Sequence, residues 1–346
     1  MTAQSAAERG AHADTPASLT IAAWREIAGR IWVNSGRHNI NLMAAGVAFY
    51  AFLSFVPLLG ALIMTYGLIA DPALVANHLK VIIDLVPADA ARLIYEQLVD
   101  LTTAAGEKKG FGLIIALGVS IYGATRASGA VMSALNVIYE QEDTRGIIKG
   151  TAIAALLIVG AIVIGIVGIL AASALGFAQE LAAELGSVAA MLVRIATWLG
   201  AALLCSATIA AMYRFAPDRA DAEWRWLSVG SVLATIVWLI ATLGFGFYAS
   251  RFGDYNATYG SLGAVVVLLL WLYVSAYAIL LGGLVNAEAE RQTARDTTTG
   301  PEEPMGKRGA VVADTSAAIK PPEEQRAEKD AAINGDDPSS QDRVSR

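Results

Sequence analysis

The 346-residue chain is poor in the usual materials of disulfides, metal sites and catalytic pairs: it has one cysteine, three histidines and only 16% charged residues. Cys205 stands alone inside an apolar run, so neither an intrachain disulfide nor a cysteine-based metal site can form. His12, His38 and His78 fall in three different segments, and no Asp or Glu lies in the hydrophobic centre of a long apolar run. A nuclease needs an acid–base pair or a metal cluster within reach of a charged strand. Neither is offered, and there is no basic surface for nucleic acid and no phosphate-cradling loop of the P-loop type. The expectation is a chain that is not an enzyme, uses no metal or cofactor and has no nucleic-acid partner.

What is abundant is apolar length. Hydrophobic residues make up 55% of the chain, the mean hydropathy is +0.52, and soluble domains carry roughly 25% charge. The apolar residues gather in six runs, 41–69, 111–139, 147–177, 188–215, 226–250 and 261–286, each above the ~20 residues that a spanning helix needs. This predicts an all-α fold, a polytopic membrane bundle of six transmembrane helices. Residues 1–18 are expected to be a disordered leader, because they have no hydrophobic period and no signal-peptide core. Residues 19–40 are expected to form an amphipathic helix at the headgroup level, with Leu19, Trp24, Ile27, Ile31 and Trp32 on one broad face. The transmembrane domain is 41–286, with an outer connector at 71–109 that carries two short amphipathic helices divided at Pro87. Residues 287–346 are expected to be a disordered tail. Lys and Arg near the helix ends favour one side by ten to six, which puts both termini in the cytoplasm of a multi-pass inner-membrane protein.

The second run carries the chemistry. Arg126 lies near its middle, where an arginine costs a few kcal/mol to insert and faces a bundle interior or a wet cavity. At about 100° per residue, Tyr122, Arg126, Gly129, Ser133 and Asn136 fall within one quarter of the helix circumference. With no acid in the spans, three uses are open to Arg126. It can hydrogen-bond carbonyls and hydroxyls of other helices, snorkel into a water-filled vestibule, or bind an anion such as a lipid phosphate, whose geometry suits a guanidinium fork. Tyr122, Arg126, Ser133 and Asn136 are the candidate anion contacts, and Ser133 and Asn136 equally suit interhelical hydrogen bonds. Asp254, Tyr255, Asn256 and Tyr259, close together in the loop RFGDYNATYG, are a candidate outer gate or a tight hydrogen-bonded turn. Ser54 with Pro57 predicts a kink in the first span, because proline frees a carbonyl one turn back.

Three motifs in order carry a resemblance. Ala48-Phe49-Tyr50 with Ser54 and Pro57, Ala134-Leu135-Asn136 followed by Ile138-Tyr139, and Tyr259-Gly260-Ser261-Leu262-Gly263 followed by Leu270-Trp271-Leu272-Tyr273 and Leu281-Gly282-Gly283 resemble the signatures of the YihY/BrkB family. The family's last motif commonly ends in Gly-Ala-Glu; here Gly283 and Leu284 hold the last two of those positions, and Glu288 lies further on. The resemblance spans about residues 25–290. It implies a six-span bacterial inner-membrane protein, of a family whose members have been labelled ribonuclease BN, a label widely held to be misassigned, and virulence or serum-resistance factor. Residues and resemblance together predict a permease- or exporter-like protein that handles an anionic or lipid-linked substrate, with membrane lipids, anionic ones included, as partners and no fixed oligomeric state. The alternative is a non-transporting scaffold or envelope-integrity factor; ribonuclease comes last.

Overall fold

The computed structural model describes residues 9–67, 109–160, 162–163, 186–251 and 261–319. Most of these residues are helical, with one isolated antiparallel bridge between Ala222 and Thr298 and no strands among them. The helices are α1 (Ile21–Arg37), α2 (Ile40–Gly67), α3 (Lys109–Ile138), α4 (Ile147–Gly160), α5 (Ser187–Phe215), α6 (Trp224–Arg251), α7 (Ser261–Glu290) and the one-turn α8 (Val311–Asp314). Among the described residues, three stretches are long and apolar enough to cross a membrane: Ser187–Phe215, Trp224–Phe247 and Val265–Glu290. Ile40–Phe55 and Ile147–Gly160 are shorter apolar helices. The expected outer connector and the loop with Asp254, Tyr255, Asn256 and Tyr259 lie outside the described residues.

Local chemistry sets the helix ends. Thr20 caps α1, its hydroxyl accepting from the Ala23 amide at 3.1 Å. Asn39, at φ 51°, turns the chain from α1 into α2 within two residues. α3 ends in a Schellman-type turn, with the Gln141 amide donating to the Asn136 carbonyl at 2.8 Å and that of Glu140 to Val137 at 3.1 Å. The left-handed position of that turn is held by Glu140, at φ 54°, rather than by glycine. An ion pair with Arg291, 2.9 Å away, secures it.

Helices approach closely where side chains vanish. A Cβ on Gly123 of α3 would stand 2.8 Å from the Ser54 amide nitrogen and Cα of α2. The Ser54 hydroxyl crosses the same seam to the Ser120 carbonyl at 3.1 Å. α2 is one continuous helix through position 57, and the Pro57 side chain lies outside the described residues. α6 and α7 cross backbone to backbone at Gly230 and Gly282, where a Cβ on either would collide with the other's carbonyl. Tyr213 of α5 locks this crossing by donating to the Ile279 carbonyl at 2.5 Å. The main apolar core gathers Ile40, Leu135, Ile138, Ile209, Leu280 and Leu284 from four helices.

Two expectations need correction. Residues 9–18 and 287–319, expected as parts of a disordered leader and tail, form a packed layer over one end of the bundle. Ala294 donates to the Ala11 carbonyl, Ala317 to that of Arg291, and Glu223 to that of Thr297. Arg308 gathers the carbonyls of Ala294, Arg295, Glu303 and Ala313 around one guanidinium. The layer is held by polar and backbone bonds and small alanines, so it has no apolar period to announce it. The second correction concerns which face of α1 is free. Ala23 and Ile27 are wholly buried against Trp226 and Ala289, and Ile31 packs on the main core, so most of the face expected to meet lipid meets protein.

Candidate functional site

α3 divides the predicted polar face. Its packed side buries Ser120, Gly123, Met132, Leu135 and Asn136. Tyr122, Arg126 and Ser133 point the other way and are exposed. The Arg126 guanidinium lies over the Tyr122 ring, 5.3 Å from its centroid, a cation–π arrangement one helical turn long. Among the described residues no hydrogen bond or salt bridge reaches that guanidinium. Gly129, between Arg126 and Ser133, has open space where a Cβ would be. The result is an outward strip with a cation, an aromatic face, a hydroxyl and a gap.

Asn136 leaves this strip. Ten residues at about 100° each carry it some 80° round from Arg126, to the edge of the predicted quarter, and packing draws it inward. Its side-chain carbonyl accepts from the Asp218 amide at 2.7 Å and its amide donates to Asp143 at 3.1 Å. Asp218 in turn accepts from the Thr144 amide and hydroxyl. Asn136 thus joins α3 to the α3–α4 and α5–α6 turns, and its anion-contact assignment gives way to a structural one.

Asn136 is the first member of a polar clamp that sequence reasoning missed, and the end of α7 is its hub. Asn286 accepts from the Gly230 amide at 2.7 Å and donates to the Leu227 carbonyl at 3.1 Å, reading the α6 backbone with both ends of its amide. Glu290, four residues on, pairs with Arg219, whose guanidinium lies 4.9 Å over the Tyr139 ring. Both side chains are 1% exposed, and Thr297 donates to the same carboxylate at 2.6 Å. Burial alone would lower the Arg219 pKa; the Glu290 charge and hydrogen bonds outweigh it and leave it raised. Glu288 points to the other side, accepting from Arg30 at 2.6 Å and from Asn34 at 2.7 Å. Gln292 accepts from Arg30 and donates to the Arg9 carbonyl. The alternation of Asn286, Glu288, Glu290 and Gln292 at the close of an apolar helix was the available signal. Polar residues two apart on a helix face opposite sides, so that end is gripped from two sides.

Near the clamp, His38 sits at the α1–α2 turn. Burial lowers its pKa below the ordinary value, with Glu140 and Glu288 opposing and Arg37 and Arg291 assisting. At Glu140 burial pushes upward, but the charge and hydrogen bond of Arg291 bring the net shift below the usual carboxylate value. Among the described residues, no group of three or more His, Cys, Asp and Glu is arranged to hold a metal ion.

Residues 31–306 match the family model described as Virulence factor BrkB. The chain is similar to the putative ribonuclease-like protein YfkH of Bacillus subtilis (strain 168), 29% identical over 258 residues, which are 72% of this chain and 90% of that protein. It is also similar to two UPF0761 membrane proteins. Nmul_A0452 of Nitrosospira multiformis is 27% identical over 72% of this chain and 58% of its own length. RC1_0578 of Rhodospirillum centenum is 27% identical over 84% of this chain and 62% of its own length. The match thus spans only about three-fifths of each of these two relatives. No solved structure matches the chain.

Proposed function

The chain belongs to the Virulence factor BrkB family of membrane proteins, and from that premise we propose that it is a six-span inner-membrane permease or exporter that handles the anionic headgroup of a lipid-linked substrate. Arg126 is the anion contact, Tyr122 its stacking support and Ser133 a further hydroxyl on the same face. The observation that carries this is the exposed guanidinium of Arg126 on the outward side of α3, which no acid among the described residues compensates. A charge at that depth costs several kcal/mol unless something answers it, and a phosphate or carboxylate answers a guanidinium bidentately. The outward position favours a substrate that arrives laterally from lipid over one that enters an enclosed pore. Both termini, in this proposal, are cytoplasmic.

The test is native mass spectrometry of the full chain released from phosphatidylglycerol-containing membranes, beside Arg126→Leu and Arg126→Lys. Retention of phosphatidylglycerol by the wild type, its loss in Arg126→Leu and partial recovery in Arg126→Lys support the assignment. Equal retention in all three overturns it.

A membrane scaffold is the second function with an observation in its favour. The end layer joins residues near both termini into one surface, through pairs such as Arg9 with Glu26 and Arg9 with the Ala317 carbonyl. A nuclease has no such support: His12 lies in the end layer, His38 at the α1–α2 turn and His78 outside the described residues. The ribonuclease-like name belongs to the Bacillus relative.

A further inference from the structure

α1 has two faces, and the clamp uses only one. Ala23, Ile27 and Asn34 are buried against the ends of α6 and α7. About half a turn away, Ile21, Arg25, Ala28 and Trp32 form a stripe at spacings of four, three and four residues. Ile21 is 83% exposed and Trp32 85% exposed, and nothing lies within 4 Å of the Cβ position at neighbouring Gly29 or Gly36. Water would strand an isoleucine and an indole of that exposure, and together they make a patch that requires a cover.

Position and charge identify the cover. α1 ends at Arg37 and α2 begins at Ile40, so the stripe lies at the level where the apolar part of α2 starts. At the same end of the bundle Leu42 of α2 is 73% exposed, and Ile147 and Ile148 at the start of α4 are 89% and 88% exposed. Exposed Arg25, Arg37 and Lys149 stand among them against two exposed acids, Glu142 and Asp143, and Asp143 is already paired with Arg145 at 2.8 Å. A ring of aliphatic side chains with a tryptophan and a surplus of cations, at the end of a membrane bundle, is the chemistry of an anionic headgroup layer. We propose that the Ile21–Arg25–Ala28–Trp32 stripe of α1 is a docking surface for anionic phospholipid headgroups, holding α1 flat on the bilayer while its opposite face carries the polar clamp. This surface is separate from Arg126 and stands whether or not that residue binds a substrate.

The test uses the full chain in lipid nanodiscs. Cys205→Ser removes the native thiol, Ala28→Cys carries a nitroxide label, and a Glu302→Cys label serves as a water-exposed control. Collisional relaxation by oxygen and by a neutral nickel chelate reads the depth of each label. In discs of phosphatidylcholine with phosphatidylglycerol, the Ala28 label is expected to be several-fold better shielded from nickel than the control. That shielding should fall in pure phosphatidylcholine and in Arg25→Gln. Fluorescence quenching by brominated phosphatidylglycerol should likewise be smaller in Trp32→Phe than in wild type. An Ala28 label as nickel-accessible as the control overturns the proposal. So does shielding independent of phosphatidylglycerol, or dipolar coupling between labels that shows a second copy on the stripe.

Discussion

Arg219 and Arg126 are built alike and used differently. Each guanidinium lies over a tyrosine ring, Tyr139 at 4.9 Å and Tyr122 at 5.3 Å. Arg219 is sealed in with Glu290, both side chains 1% exposed, and Thr297 completes the carboxylate's partners. Arg126 is exposed, and among the described residues no acid answers it. The aromatic support is therefore not what separates the buried, paired arginine from the exposed one. A charge with its counter-ion supplied by the chain ties elements together; under the proposed function, the exposed charge of Arg126 is the one left for a ligand.

Removing Glu290 should break the comparison most severely. Glu290→Ala leaves Arg219 buried and unpaired, which costs about 3–5 kcal/mol. Thermal unfolding in detergent should show a large drop, or the variant should fail to accumulate. Little change would mean that Arg219 finds water or another acceptor and that the clamp is not a closed unit. Gly123→Leu comes next, because a side chain there meets Ser54 backbone rather than a flexible tip. It should pry α2 from α3 at a cost of about 2 kcal/mol or more, whereas Gly129→Ala, which meets open space, should be nearly silent. Comparing the unfolding midpoints of the two variants checks this. Asn286→Ala loses both hydrogen bonds to the α6 backbone and should cost about 1–3 kcal/mol, read as faster amide exchange around Leu227 and Gly230.

These positions also show what the sequence made legible. The all-helical class, with helices long and apolar enough to span, was readable because lipid requires long apolar helices whose backbone bonds close internally. The clamp was not. Asn286, Glu288 and Glu290 close an apolar run that reads as a span, and Glu290 finds its partner in a turn 71 residues away in sequence. No local period encodes such a pairing. Residues 291–319 looked like a disordered tail by composition, yet the carbonyls around Arg308 organise part of that segment. For Asn136 the sequence left two uses open, anion contact and interhelical hydrogen bond, because helical geometry gives an angle but not which side the neighbours take; its bonds to Asp143 and Asp218 are of the second kind.

A pH titration should give a smaller effect and test the clamp's rim. Burial lowers the His38 pKa in the folded chain below the ordinary histidine value of 6.5, so the unfolded chain binds that proton more readily. Stability from neutral His38 is present above pH 6.5 and is lost as pH falls below it. Glu140, with its folded value below 4.5, contributes stability above pH 4.5 that is lost as pH falls through the folded value. Both losses run toward acid, and that of His38 begins first. Unfolding temperature should decline between pH 7 and 5.5 in wild type, and His38→Gln should flatten that interval while leaving the acid limb of Glu140. A wild-type profile already flat over the interval would assign His38 no part in the rim.

The smallest expected stability change is at Arg126. No contact among the described residues is lost in Arg126→Leu beyond the Tyr122 stack, and the substitution removes a charge from the apolar level of α3. The unfolding midpoint in plain detergent should therefore stay within about 0.5 kcal/mol of wild type or rise. The contrast emerges when phosphatidylglycerol is added. A ligand that binds only the folded state stabilises it by RT ln(1 + [L]/Kd), so the wild-type midpoint should climb with phosphatidylglycerol and level off on saturation. In Arg126→Leu the climb should shrink to whatever the α1 stripe alone contributes, and adding Arg25→Gln should remove that remainder. If Arg126→Leu instead destabilises by several kcal/mol without added lipid, Arg126 is a second Arg219, with its counter-ion supplied by the protein, and the difference between the two arginines disappears.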